Sequence, residues 1–211
     1  MEFRTLTADE VKCRIGQISQ KKGAVSLLIY KDARVDMDIL DGTVGPQNWQ
    51  RLHYECKGNL FCKVGIRMNS YGQIEGDQWV WKSDVGTESN TEEEKGESSD
   101  SFKRACTNWG IGRELYTAPM IWIDAESAKS KKDDSDKWKC FSKFKVTQIE
   151  YDEKRNITKL EIGRLNWNET EIEEIVFAYG YTKSLQEAAN ERPDPGKMFR
   201  TEEPPKEYKR K

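Results

Sequence analysis

Apolar positions along the chain switch repeatedly between the helical and the extended period. In residues 7–20 (TADEVKCRIGQISQ), Val11, Ile15 and Ile18 share one face at helical spacing, and Thr7 followed by Glu10 has capping-box spacing, which predicts a helix. Gly23 breaks that pattern, and the apolar run 24–30 (AVSLLIY) reads as a buried strand. Residues 32–44 (DARVDMDILDGTV) return to helical spacing, with Val35, Ile39, Met37 and Leu40 facing a core, and Gly45-Pro46 ends the element.

A β region follows. Residues 49–56 alternate, Lys57-Gly58-Asn59 is a turn, and 60–68 (LFCKVGIRM) alternates cleanly. Leu60, Cys62, Val64, Ile66 and Met68 share one face, and Phe61, Lys63, Gly65 and Arg67 share the other. A turn at 69–73 leads to a third strand over 78–86, completing an antiparallel meander with one apolar and one basic, aromatic-bearing face. A helix is predicted over 99–109, capped by Ser98 or Ser99 and burying Phe102, Ala105, Cys106 and Trp109, with Gly110 as its stop. Residues 111–116 continue as a short turn or helix, and 119–124 as a strand.

The expected fold is therefore α+β: an antiparallel three-stranded β-meander packed with helices, followed by an extra β-hairpin and a weakly ordered C-terminal tail. Residues 1–124 form the core and 125–138, rich in Lys and Asp, a linker. Residues 139–180 form an accessory region, with a hairpin of 144–151 and 157–162 and a helix or strand over 169–179. From 181 the chain turns polar and Pro-rich and reads as a flexible tail.

Composition narrows the function. Charged residues make up 34% of 211 and no apolar run is long enough to span a bilayer, so a soluble, cytoplasmic protein without membrane contact is expected. Five Cys at irregular positions (13, 56, 62, 106 and 140) give no disulfide framework, and with a single His (His53) no zinc site is expected. There is no phosphate-binding loop and no nucleophile motif around His53, so the composition argues against an enzyme and for no cofactor.

The net charge of -2 conceals a division. Residues 87–100 carry six acids and one base, leaving +3 elsewhere. This acidic segment reads either as a solvated connector or as a mimic of DNA that occupies a basic groove. The bases matter by placement. A sheet face bearing Lys63 and Arg67 can follow a phosphate backbone, Lys103 and Arg104 on the next helix can form the opposite wall, and Phe61 can stack on an unpaired base. Arg14, Lys82 and Arg113 join the set by geometry. The same bases also serve simply to keep a surface solvated.

The stretch 99–116 (SDSFKRACTNWGIGRELY) resembles the signature helix of the Rad52/Rad22 family of single-strand annealing proteins, particularly its phage and bacterial members. Residues 40–49 (LDGTVGPQNW) resemble that family's helix-to-strand junction, and 81–89 (WKSDVGTES) its third strand and the following loop. These motifs keep their order from about Leu6 to Ile123. The resemblance implies ATP-independent annealing by an oligomeric ring that holds single-stranded DNA in a basic groove. It implies DNA-binding roles for Lys103, Arg104 and Arg34, while Thr107 stands where the family carries a third helix arginine.

It also leaves the tail as a means of recruiting a single-strand-binding protein or recombinase, although its basic end (Tyr208 to Lys211) reads equally as solubilising charge. Two rival functions remain open. One is a metal-dependent phage DNA-processing enzyme using Asp77, Asp84 and Glu88. The other is a structural or interaction protein of the same fold without DNA binding.

Overall fold

The structure, a computed structural model, describes residues 1–68, 74, 78–87 and 93–180, and of residues 93–95 the backbone only. The turn predicted at 69–73, residues 88–92 of the acidic segment and the predicted tail from 181 lie outside the described residues.

Residues 7–20 are not a helix. The pair Thr7 and Glu10 closes one 3-10 turn, Ala8–Glu10, in which the Thr7 N–H donates to the Glu10 carboxylate at 2.9 Å. Strand β1, Val11–Ile18, follows and pairs antiparallel with β2, Val25–Lys31. The register slips between Ile15 and Gln17, where Gly16 is the extra residue. A bulge adds one residue to a period of two, so the inward positions become 11, 13, 15 and 18. Val11, Ile15 and Ile18 thereby imitate a helical stripe, and the inward Cys13 is the residue that distinguishes the two. Burial pushes the Cys13 thiol up to about 12.

Helix α1, Ala33–Val44, matches its prediction. The Asp32 side chain accepts from the Arg34 N–H at 3.0 Å, and the helix ends at Gly45 with φ 83, a value that glycine adopts without strain. The junction 40–49 is held from both sides. Trp49 Nε1 donates to Asp41 Oδ1 at 2.6 Å, and Asn48 Nδ2 donates to the Val44 carbonyl at 2.9 Å.

The meander is as predicted: β3 (Trp49–Cys56), β4 (Asn59–Met68) and β5 (Gln78–Val85), in that order in one antiparallel sheet. Lys57 and Gly58, both at positive φ, make the tight turn between β3 and β4. Helix α2, Glu93–Trp109, begins earlier than expected, so Ser98 and Ser99 lie inside it rather than capping it. Its first half is held by contacts with the meander: Glu97 accepts from the Leu60 N–H at 2.8 Å, and Ser98 meets His53 Nε2 at 3.2 Å. Asp100 accepts from the N–H and hydroxyl of Thr87. These partners are remote in sequence, which is why local capping signals misplaced the start. Phe102, Ala105 and Cys106 pack with Cys62, Val64 and Ile66 in the core, and Trp109 Nε1 donates to the Val64 carbonyl at 3.0 Å.

After α2 come β6 (Ile121–Ile123), a two-residue pair β7 (Lys131–Lys132) and β8 (Trp138–Lys139), and then β9 (Phe144–Tyr151), β10 (Ile157–Leu165) and β11 (Ile172–Tyr179). The segment 169–179, open between helix and strand, thus contains a strand. The second sheet has the order β11-β10-β9-β1-β2-β6, antiparallel throughout. Buried Glu114, just past α2, holds its parts together. It accepts from the Leu6 N–H at 2.9 Å and from Arg155 Nη2 at 2.7 Å, while the Tyr151 hydroxyl donates to the Leu6 carbonyl.

Candidate nucleic-acid interface

Strand β6 pairs with β2 only at Val25, Ser26 and Leu27, which leaves the edge of β2 uncovered from Leu28 onward. A groove of about 310 Å³ opens there. Ile29, Tyr30 and Lys31 form one side, and Lys103, Arg104 and Thr107 of α2, with the carboxylate of Asp100, the other. Leu115 and Tyr116 close its end, and Tyr30 and Tyr116 are both exposed. The adjacent bases of the signature helix thus lie in a groove with two aromatic side chains.

Beneath it lies a buried ion pair. Lys31 Nζ contacts both carboxylate oxygens of Asp36, and Gly112, at φ 70, lies so close that a Cβ there would collide with the Lys31 side chain. Burial pushes Asp36 up to about 6, against the opposing pull of the Lys31 ammonium and, more weakly, of Lys103.

Several candidate bases are already engaged. Arg104 Nε and Nη2 reach Asp84 Oδ1 at 3.3 and 3.2 Å. Lys82 Nζ donates to the Asn108 carbonyl at 2.9 Å and lies 4.5 Å from the Trp109 ring centroid. Arg113 donates to the carbonyls of Thr107 and Asn108. Lys82 and Arg113 therefore cap the last carbonyls of α2, where positive charge also complements the helix dipole. Thr107 spends its hydroxyl on the Lys103 carbonyl at 3.0 Å.

The expected opposite wall is elsewhere. Register places Leu52, Tyr54, Phe61, Lys63, Arg67, Trp79 and Trp81 on one face of the meander, and α2 covers the other. The sheet itself separates Lys63 and Arg67 from Lys103 and Arg104, so within one chain they cannot line two sides of one groove. Side chains alternate across a strand, and the helix takes the apolar face. On the outer face Phe61 stacks on Tyr54 at 5.5 Å, and Lys63 Nζ lies 4.7 Å above Trp81, whose ring covers Gly65.

Arg34 is exposed in the first turn of α1, three residues beyond Lys31. Arg14 faces outward on β1 opposite Leu28, and Lys12, two residues earlier, is opposite Tyr30. Tyr30 and Tyr116 line the groove and were missed, as was Lys12 beside Tyr30, whose ammonium donates to Asp32 at 3.1 Å. The alternation of Lys12 and Arg14 was the available signal, but a helical reading of that segment points them in different directions. Of the acids considered for metal chemistry, Asp77 and Glu88 lie outside the described residues. Asp84 is occupied by Arg104, Asn108 and the Val85 N–H.

Comparison with known proteins gives a consistent picture. The family model for "Rad52/22 family double-strand break repair protein" matches residues 6–135. The single-stranded DNA-binding protein DdrA of Deinococcus radiodurans is 32% identical over 105 residues, 49% of this chain and 47% of that protein. DdrA of Deinococcus deserti is 30% identical over 124 residues, 58% of each. The chain spans about half the length of the curated relatives it matches. No solved structure matches it.

Proposed function

The chain belongs to the Rad52/22 family of double-strand break repair proteins, and on that premise we propose that it binds single-stranded DNA and anneals complementary strands without ATP, as an oligomeric ring and without catalytic chemistry. The observation that carries this reading is the placement of Lys103 and Arg104, side by side on α2, in a groove that also presents Tyr30 and Tyr116. Cations there neutralise phosphates and release counterions, while exposed rings accept a base without reading its edge. Base edges left free can then search for a complement, and duplex formation drives the step. Arg113, whose guanidinium lies against the Thr107 carbonyl, supplies charge near the position where Thr107 brings none. A ring adds avidity by holding one strand at many grooves. It also lets a neighbouring subunit bring its Lys63, Arg67 and Phe61 face to the strand, which a single chain does not do.

Annealing of two labelled complementary oligonucleotides, without ATP or magnesium and at two salt concentrations, tests the proposal. Acceleration that weakens with salt and is lost in Lys103→Ala with Arg104→Ala is the expected result. Unchanged single-strand affinity in that folded double variant refutes the site. A second reading, a protein of this fold without DNA binding, draws on one observation: Arg104, Lys82 and Arg113 all have intramolecular partners. Binding that falls steeply with salt excludes it.

A further inference from the structure

A larger cleft, of about 850 Å³, lies where β7, β8 and the ends of β9 and β10 meet, and ten of its fourteen lining residues lie beyond residue 135. It therefore falls mostly outside the segment that the family model matches. Two side chains dominate its rim. Trp167 is 95% exposed and Phe141 85%, and neither has a ring partner among the described residues. Burial of apolar area favours folding, so two large rings left in water are anomalous unless something covers them.

Their placement is fixed by the fold. Phe144 pairs with Arg164, and the Leu165 N–H donates to the Lys143 carbonyl at 2.9 Å. Phe141 and Trp167 lie just beyond these paired ends, and both line the cleft. Trp167 rides on a closed turn in which Asn166 Oδ1 accepts from the Thr170 N–H at 2.9 Å and the Asn166 N–H donates to the Glu171 carbonyl.

The charge around the rings divides in two. Lys129 pairs with Glu173 at 2.8 Å, Lys132 with Asp136 at 2.6 Å, and buried Arg164 with Glu173 and Glu174. Lys139 lies 3.9 Å from Asp133, and the exposed acid Glu169 also lines the cleft, whereas Lys131 and Lys143, both exposed, have no partner among the described residues. Two free ammonium groups beside two free aromatic faces match a polyanion that carries flat rings.

We propose that this cleft is a second binding site for the unpaired nucleotides of single-stranded DNA, with Phe141 and Trp167 stacking on bases and Lys131 and Lys143 meeting phosphates. The choice of DNA among polyanions rests on the function proposed above; the site itself is separate from the α2 groove. It lets one chain hold a strand at two places, so that a strand released from one is retained by the other.

Photocrosslinking of the full chain to a single-stranded oligonucleotide carrying iodouracil, with equilibrium binding followed by anisotropy, tests it. Crosslinked peptides containing Phe141 or Trp167 are expected both in the wild type and in Lys103→Ala with Arg104→Ala. Phe141→Ala with Trp167→Ala lowers affinity roughly tenfold or more, the range of stacking on one or two bases. Phe141→Tyr with Trp167→Phe, which keeps the rings, retains it. Unchanged affinity in the folded alanine pair, with no crosslinks in residues 139–173, overturns the site. So does binding of a polyglutamate probe that the alanine pair abolishes while oligonucleotide binding stays intact. Crosslinks at the cleft in a protein that accelerates no annealing sink the annealing reading and leave this site standing.

Discussion

The α2 groove and the β7–β10 cleft are both basic and both carry aromatic side chains, but they differ in how much of that surface the fold has already engaged. In the groove every cation but Lys103 is bound into the fold: Lys31 is buried on Asp36, Arg104 lies on Asp84, and the nearby Lys82 and Arg113 close the end of α2. In the cleft Lys131, Lys143, Phe141 and Trp167 support nothing. A base in the sequence is not a base available to DNA. Availability depends on which carbonyls and carboxylates the fold places beside it, and the two regions differ most in what a mutation there does to stability.

The largest contrast is expected beneath the groove. Asp36→Ala leaves the Lys31 ammonium buried without its partner and lowers stability by about 3–5 kcal/mol in urea unfolding at neutral pH. The apolar pair Lys31→Met with Asp36→Leu costs far less, because neither charge remains buried. Equal losses from both variants would show that packing, not charge, holds the groove floor.

The next effect is in pH. Asp36 is raised to about 6 in the folded chain, so between about pH 4 and 6 the native state binds more protons than the unfolded one. By linkage, this group's stabilising contribution is complete at the acid end and is lost as pH rises through 6, a change of about 3 kcal/mol at most. Asp36→Asn removes that slope. Glu10 behaves oppositely: the Arg4 guanidinium holds it down to about 2, so its contribution is lost as pH falls from about 4.5. Chemical denaturation across this range, on wild type and Asp36→Asn, separates the two.

Smaller effects follow at the helix end and in the cleft. Lys82→Ala and Arg113→Ala each remove a charged donor from the last carbonyls of α2 and lower stability by about 1 kcal/mol, read from thermal melts. Phe141→Ala with Trp167→Ala changes stability by less than about 0.5 kcal/mol, because neither ring packs on the core. A loss comparable to the helix-end variants would mean that the cleft is structural and would erase the contrast.

Much of the fold was legible because neighbouring residues supplied the reasons. In β4 every second residue is apolar, so its buried face and its pairing with β3 and β5 followed directly. Asp32 and Gly45 marked the ends of α1. Strand β1 was misread because Gly16 shifts its period at the one place where three apolar residues then match a helix. That error hid the shared outward face of Lys12 and Arg14, and with it part of the region next to Tyr30. The start of α2 was misplaced because Glu97 and Ser98 are held by Leu60 and His53, remote in sequence.

By itself the sequence determined the α+β class, the meander, the buried side of its central strand β4, and Lys103 and Arg104 as adjacent bases on a helix. These follow from periodicity and local backbone chemistry, which act over a few residues. Only the tertiary structure decided that Lys63 and Arg67 face away from α2 and that Lys82 and Arg113 serve the helix end. It alone brought Lys31 onto Asp36, and Phe141 and Trp167 to the rim of one cleft. Those outcomes depend on which face of a sheet a helix covers and on which strand ends become neighbours, and both are set by packing between segments far apart in the chain.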